Sequence, residues 1–190
     1  MRIIAGRFRG RALAAVGKGD AAAHLRPTTD RVRESLFNVL AGGSFGDPLT
    51  GAIVLDLFAG TGALGLEALS RGAAQVRLVD SGRKAQSLIA ENIRLIGAAP
   101  DASLLRRDAT KLGPCPDAPA TLIFLDPPYG LGLGERALAA AQAGGWIAPE
   151  ALIVWEEAAP MAATPGLEVL DRRRYGDTHI TFLAGPSQAT

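Results

Sequence analysis

The sequence predicts an α/β fold: a mostly parallel, seven-stranded sheet flanked by helices, with an antiparallel C-terminal strand and a short β-hairpin arm at the N-terminus. Three observations carry this reading. Short runs rich in Val, Ile and Leu alternate with segments of helical period, the pattern of successive βα units. The first run, Ile53 to Leu57, is nearly continuously apolar, as expected for a strand buried on both faces, and it feeds a turn at Gly60 and Gly62 and a helix over 63–71. Near the C-terminus, Gly176-Asp177 separates two strand-like segments, 167–175 and 178–183, which is a two-residue hairpin signal.

Composition agrees with a single globular domain. The chain has 190 residues, 48% of them hydrophobic, enough to build a core. Charge is unevenly spread. Residues 1–38 hold eight Lys/Arg against three Asp/Glu, a net +5, so the remainder carries −4 within an overall +1. Such asymmetry suits a basic arm facing an anionic partner. Cys115 is alone, which excludes an internal disulfide, and His24 and His179 show no ligand spacing, so no metal is expected. No apolar run approaches a membrane span, and the basic N-terminus leads into no signal-peptide core. A cytoplasmic protein acting as a monomer is the expectation.

In chain order, residues 2–5 and 11–16 read as two short strands joined by Gly6-Arg7-Phe8-Arg9-Gly10. This predicts a polar, mobile arm with Arg2, Arg7, Phe8, Arg9 and Arg11 available to RNA, since arginines beside an aromatic offer phosphate contact and base stacking. A solvated charged loop is the alternative. A Gly/Ala linker follows, dividing residues 1–25 (arm and linker) from the main domain at 26–190. Arg26-Pro-Thr-Thr-Asp30 then opens a helix capped by Thr28, Thr29 or Asp30, with Val32, Leu36, Val39 and Leu40 on its inner face. Arg31 and Glu34 lie opposite, and Arg33 falls at the edge. Arg26 and Arg31 join the RNA-facing candidates. Beyond the glycine turn, strands are predicted over 75–80, 103–107, 121–125 and 151–156, with helices from Ser81 (as cap) to Ile96 and from Glu135 to Gly144.

The chemistry begins at the glycine turn. Gly60 and Gly62 let the backbone bend sharply and approach a ligand, because neither has a Cβ to collide with it. Asp56 places a carboxylate ahead of that loop. A pyrophosphate favours a helix N-terminus without competing negative charge, whereas a cofactor with a sulfonium and an α-ammonium gains from one. Asp56-x-Phe58-x-Gly60-Thr61-Gly62 resembles the first motif of S-adenosylmethionine (SAM) methyltransferases. Asp80 lies 18 residues beyond Gly62, near the spacing at which an acid meets a ribose diol. Asp108 and Ala109 follow the third strand, where Asp108 either accepts an adenine amine or simply enters a turn.

A second motif, Asp126-Pro127-Pro128-Tyr129, ends the fourth strand at the same sheet edge. An exocyclic base amine is a poor nucleophile, because its lone pair is delocalised into the ring. Fixed acceptors for both amine hydrogens hold that lone pair towards an incoming methyl group, and the Asp126 carboxylate and Pro127 carbonyl are such acceptors. Each proline fixes φ and keeps the preceding residue extended. Tyr129 offers a face for the target base. No Ser, Cys or His stands in position as a nucleophile, and the sulfonium chemistry requires none.

With Met1-Arg-Ile-Ile-Ala-Gly6, Arg26-Pro-Thr-Thr-Asp-Arg-Val-Arg-Glu34 and Arg174-Tyr-Gly-Asp-Thr178, these pieces resemble the bacterial 16S ribosomal RNA guanine-N2 methyltransferases of the RsmD type over nearly the whole chain. The resemblance implies a Rossmann-like class I methyltransferase fold, SAM as cofactor, and one guanine of 16S ribosomal RNA or the small-subunit particle as substrate. It also implies that Asp126, Pro127 and Tyr129 hold the target, and that the glycine loop and Asp80 hold the cofactor. Asp80 stands where many relatives have glutamate, which keeps the chemistry and shortens the reach. An adenine or cytosine amino-methyltransferase is the enzymatic alternative, and a non-catalytic nucleotide-binding module the other.

Overall fold

A computed structural model describes residues 1–15 and 30–187. The helices are α1 (Asp30–Ala41), α2 (Ala63–Ser70), α3 (Arg83–Ile96) and α4 (Leu133–Ala143). The strands are β1 (Ile53–Leu57), β2 (Gln75–Asp80), β3 (Ala102–Arg106), β4 (Ala120–Leu125), β5 (Ile147–Glu157), β6 (Glu168–Tyr175) and β7 (Thr178–Ala184). They form one sheet in the order β3-β2-β1-β4-β5-β7-β6. The first five strands are mutually parallel, and β7 runs antiparallel to both its neighbours. Strand order therefore reverses between β1 and β4, and the crevice at such a reversal is where open α/β sheets bind ligands.

Both sheet faces are buried. Val54, Val76, Leu78, Leu122 and Phe124 face one apolar layer with Leu36, Phe37, Leu66 and Ile89 of α1, α2 and α3. Leu55, Leu57, Ile123, Ile153 and Trp155 face the other, with Ala137, Leu138 and Ala141 of α4. This two-sided burial explains the continuous apolar runs of β1 and β4. Among the described residues, no helix is long and apolar enough to cross a membrane.

Several expectations need correction. Among the described residues the paired N-terminal strands carry one antiparallel bridge, Arg2 to Ala12, with backbone bonds from the Ile3 amide to the Arg11 carbonyl and from the Leu13 amide to the Met1 carbonyl, and form no longer strand. On α1 Leu36 and Leu40 are buried as expected and Val39 packs partly against the core, but Arg33 and Phe37 complete the inner stripe and Val32 is only half-buried. Phe37 has more area to bury than either valine: it meets Phe124 at 5.8 Å between ring centroids, with the Arg71 guanidinium over it at 4.8 Å. Turning Phe37 inward carries Arg33, one turn earlier, from the expected edge into full burial, where it donates to the Arg2 carbonyl and the Asp30 carboxylate. Ser81 does not cap α3; Gly82 holds the N-cap position without a side-chain bond. The domain boundary at 25/26, Arg26 and the capping candidates Thr28 and Thr29 fall outside the described residues.

Candidate active site

Three aspartates rise from the sheet on the face of α1, α2 and α3. Each stands two residues beyond a core residue of that layer: Asp56 after Val54, Asp80 after Leu78, Asp126 after Phe124. Register sets their heights. Asp56 pairs with Leu78 on β2 and with Phe124 on β4, so Asp80 and Asp126 stand two residues higher, about 7 Å at the usual strand rise. Asp56 is consequently buried beneath the glycine loop, and its carboxylate accepts the Gly65 amide at 2.8 Å. Burial pushes its pKa up to about 7, opposed by the Gly65 bond and reinforced by the charge of Asp80. Asp56 thus binds the first turn of α2 from below. A Cβ on Gly65 would come within 2.6 Å of the Leu78 and Val76 side chains and 3.0 Å of the Asp56 carboxylate, so glycine is required there.

Asp80 is half-buried at the sheet edge. Its Oδ2 accepts the Gly60 amide at 2.9 Å and its Oδ1 the Gly82 amide at 2.8 Å. Burial raises its pKa above the usual carboxylate value. Each oxygen has a further acceptor site, the set that a vicinal diol requires. Gly60 and Gly62 take left-handed φ values of +59° and +79°, and the half-buried Phe58 takes +61°, an uncommon conformation for an aromatic residue. The Thr61 carbonyl accepts from Nδ2 of the buried Asn92 at 2.8 Å. Asp108 caps the 3-10 turn Ala109–Lys111, accepting both the amide and the hydroxyl of Thr110 at 2.8 Å. These bonds, led by the hydroxyl's, lower its pKa. Ala109 is buried behind it.

Across the strand reversal, the Asp126 amide meets the Leu57 carbonyl at 3.4 Å, which joins the second motif to the end of β1. Asp126 and Tyr129 are half-buried, Pro127 buried and Pro128 exposed. The Tyr129 hydroxyl donates to Glu156 Oε1 at 2.8 Å, and the Gly130 amide donates to Glu157 Oε1 at 2.8 Å. Burial first, then the Glu156 charge, drives the tyrosine pKa well above its ordinary value. Glu156 and Glu157 were not among the candidates; Asn92 lies buried on the inner face of α3, where the helical period of the sequence puts it, but without its partners. Two acids closing the apolar run Ile153-Val-Trp-Glu-Glu157 were the available clue, because a strand buried on both faces leaves neither one a solvent side.

The family described as "Conserved hypothetical protein 95" matches residues 1–184. The chain belongs to this family. It is similar to the ribosomal RNA small subunit methyltransferase D of Escherichia coli K12, 40% identical over 156 residues, 82% of this chain and 74% of that protein. The protein of the same name from Haemophilus influenzae Rd is 33% identical over 159 residues, 82% and 78% of the two chains. Among solved structures, yhhF of Escherichia coli aligns over 99% of both chains, with a TM-score of 0.80 and 35% identity.

In this family member the N-terminal arm is docked rather than mobile. Glu67 of α2, fully buried, accepts the Ile4 and Ala5 amides at 2.8 and 3.0 Å and pairs with Arg71 at 2.7 Å. Ser70 accepts the Phe8 amide at 3.0 Å and donates to the Ala5 carbonyl. A Cβ on Gly6 would lie 1.8 Å from the Ser70 carbonyl oxygen, so only glycine permits this approach. Arg7 pairs with Asp101 at 2.7 Å, and Arg11 donates to the Ile96 carbonyl at the end of α3. Both guanidiniums cover the half-buried Phe8 ring, 4.6 and 5.5 Å from its centroid. Ser70 ends α2, Ile96 ends α3 and Asp101 precedes β3, so the tip of the arm lies at the sheet edge opposite Asp126. Its base returns to the glycine loop, where Asn92 bonds both Ala14 and Thr61. Arg2, Arg9 and Arg31 are exposed.

Proposed function

We propose that this protein transfers a methyl group from SAM to the exocyclic N2 of a guanine in small-subunit ribosomal RNA, guanine 966 of the 16S RNA by the position its family implies. The observation that supports this most is the meeting of two loops at the strand reversal: the glycine loop after β1 and Asp126-Pro127-Pro128-Tyr129 after β4. The relatives' names speak for RNA as the substrate class.

The residues fit the cofactor. Asp80 keeps acceptor capacity on both oxygens for a ribose diol. Asp56 already occupies the Gly65 amide in the first turn of α2, which removes a donor that a pyrophosphate would use and favours SAM over a dinucleotide. Phe58, Gly60, Thr61 and Gly62 line the loop; Asp108 and Ala109 complete the edge beside β3. When bound, SAM supplies a methyl group already activated on a sulfonium, so the protein's task is chiefly alignment. The Asp126 carboxylate and Pro127 carbonyl accept the two N2 hydrogens and turn the lone pair towards the methyl, while the Tyr129 ring supports the base. Arg2, Arg9, Arg26 and Arg31 contact RNA phosphates. Arg7, Phe8 and Arg11 belong to the same surface but spend part of their capacity on the arm's own packing. The protein works in the cytoplasm as a monomer, on RNA or on the assembled small-subunit particle.

Mass mapping of nucleosides after incubation with ribosomal RNA, small-subunit particles and DNA tests the proposal. N2-methylguanosine in RNA is the expected product. Methylated adenine or cytosine in DNA would overturn it in favour of the related amino-methyltransferases. Calorimetry with SAM and with NAD separates a methyltransferase from a dinucleotide-binding module.

A further inference from the structure

The target loop is restrained more tightly than its backbone requires. Pro127 and Pro128 fix φ in the motif, and Gly130, at φ +73°, turns the chain away from it. None of these sets the Tyr129 side chain. That is done by the carboxyl end of β5 and the tip of the β6–β7 hairpin. Glu156 takes the Tyr129 hydroxyl and Glu157 the next peptide amide, each at 2.8 Å. Thr178, the first residue of β7, lies beside the same hydroxyl. Glu156 and Glu157 are only 6% and 8% exposed.

Consecutive strand residues point to opposite faces, yet both carboxylates reach the same loop, so the loop passes over the strand's end. Burying two carboxylates side by side is costly unless each is given donors. A loop needed only as a connection would gain nothing from that arrangement. Thr178 also closes the segment Arg174-Tyr-Gly-Asp-Thr178, which matched the family without a role and which the structure brings to Tyr129.

Resting on the function proposed above, we infer that Glu156 and Glu157 are positioning residues for methyl transfer. They lock the ring of Tyr129, so that a base lying on it presents its amine in line with the methyl group. They act through Tyr129 and Gly130 and do not touch cofactor or base. A misplacement of about 1 Å in such geometry reduces turnover roughly 100-fold, so their loss should lower kcat and leave binding largely intact.

A double-mutant cycle on methyl transfer to unmethylated small-subunit particles tests this. Tyr129→Phe and Glu156→Ala should each lower kcat about 10- to 100-fold, with KM for particles and for SAM within about 3-fold of wild type. The double variant should be within about 3-fold of the slower single variant, because both remove the same restraint. Glu156→Gln, whose amide oxygen still accepts the phenol, should recover most of the loss. Multiplying losses in the double variant, or single variants within about 3-fold of wild type, would overturn the inference. Should Glu156→Ala fail to fold, Glu156→Leu, which keeps the volume and removes the acceptor, replaces it in the cycle, with the same outcomes expected. The cycle follows whichever base amine the wild type methylates. An unexpected base therefore overturns the proposed function and leaves the clamp to be judged by its coupling, while a wild type that methylates no nucleic acid overturns both.

Discussion

The two edges of the sheet carry similar sequence vocabulary, glycines beside charged and aromatic residues, and use it differently. At the carboxyl edge, Gly60, Asp80 and the pair Asp126 and Tyr129 come from the ends of three separate strands and gather around the strand reversal. At the amino edge, Gly6, Arg7, Phe8 and Arg11 come from one segment and close upon α2 and α3. In the proposed site, the first arrangement spends hydrogen bonds on holding acceptors open to a ligand. The second spends them on the protein itself. Residue type therefore says little about role until the topology places it at one edge or the other.

The sharpest break between the edges is catalytic. Asp126→Ala should reduce methyl transfer by orders of magnitude while SAM affinity by calorimetry stays nearly unchanged, because the contact counts mainly in the transfer geometry. Turnover within a few-fold of wild type would remove Asp126 from its role. At the other edge, Glu67→Ala should leave the Ile4 and Ala5 amides and Arg71 without their buried partner. A loss of roughly 3–5 kcal/mol in urea unfolding is expected, and a loss under 1 kcal/mol would mean that the arm is not held there.

Acidity sharpens the contrast between Asp56 and its neighbours. An unfolded Asp56 ionises near 3.8, while the folded one keeps its proton up to about 7. Between those values the folded chain binds more protons than the unfolded chain, so stability falls as pH rises. Melting curves of Asp56→Asn should show a flatter decline from pH 4.5 to 7 than wild type; parallel declines would place the proton elsewhere. Asp80→Ala should weaken SAM binding by about 1–3 kcal/mol, the range for lost charged hydrogen bonds, and calorimetry decides it. The smallest effect belongs to the arm. Arg9→Ala should reduce the logarithmic salt slope of RNA binding by roughly 0.7 to 0.9 if it meets a phosphate. Arg7→Ala should change it less, because Asp101 already neutralises that guanidinium. Equal slopes in both variants would end the distinction between them.

The sheet and both loops were legible because apolar periodicity and glycine placement are local properties of the chain. The seven strands, the hairpin at Gly176-Asp177 and the end of α3 at Ile96 stand where those patterns put them, apart from β5, which begins four residues earlier at Ile147. The partners of buried polar residues were not legible. Glu67 serves amides 62 and 63 positions away, and Asn92 serves Ala14 from a distance of 78. Nothing near either residue in sequence announces those partners. Arg33 misled for a related reason: a charged residue beside an apolar stripe reads as its rim, until Phe37 turns the helix inward.

Asn92 has a consequence for how the molecule opens. Its side chain donates to the Ala14 and Thr61 carbonyls and accepts the Ala14 amide, all from a fully buried position. Releasing the end of the arm strands polar groups that the glycine loop also depends on, so the two segments should open as one cooperative unit rather than fray separately. Amide protons on the arm then exchange with solvent through the same opening as those of the loop. A ligand that binds only the closed loop slows both by the same factor, which turns a stretch far from the methyl group into a reporter of cofactor occupancy.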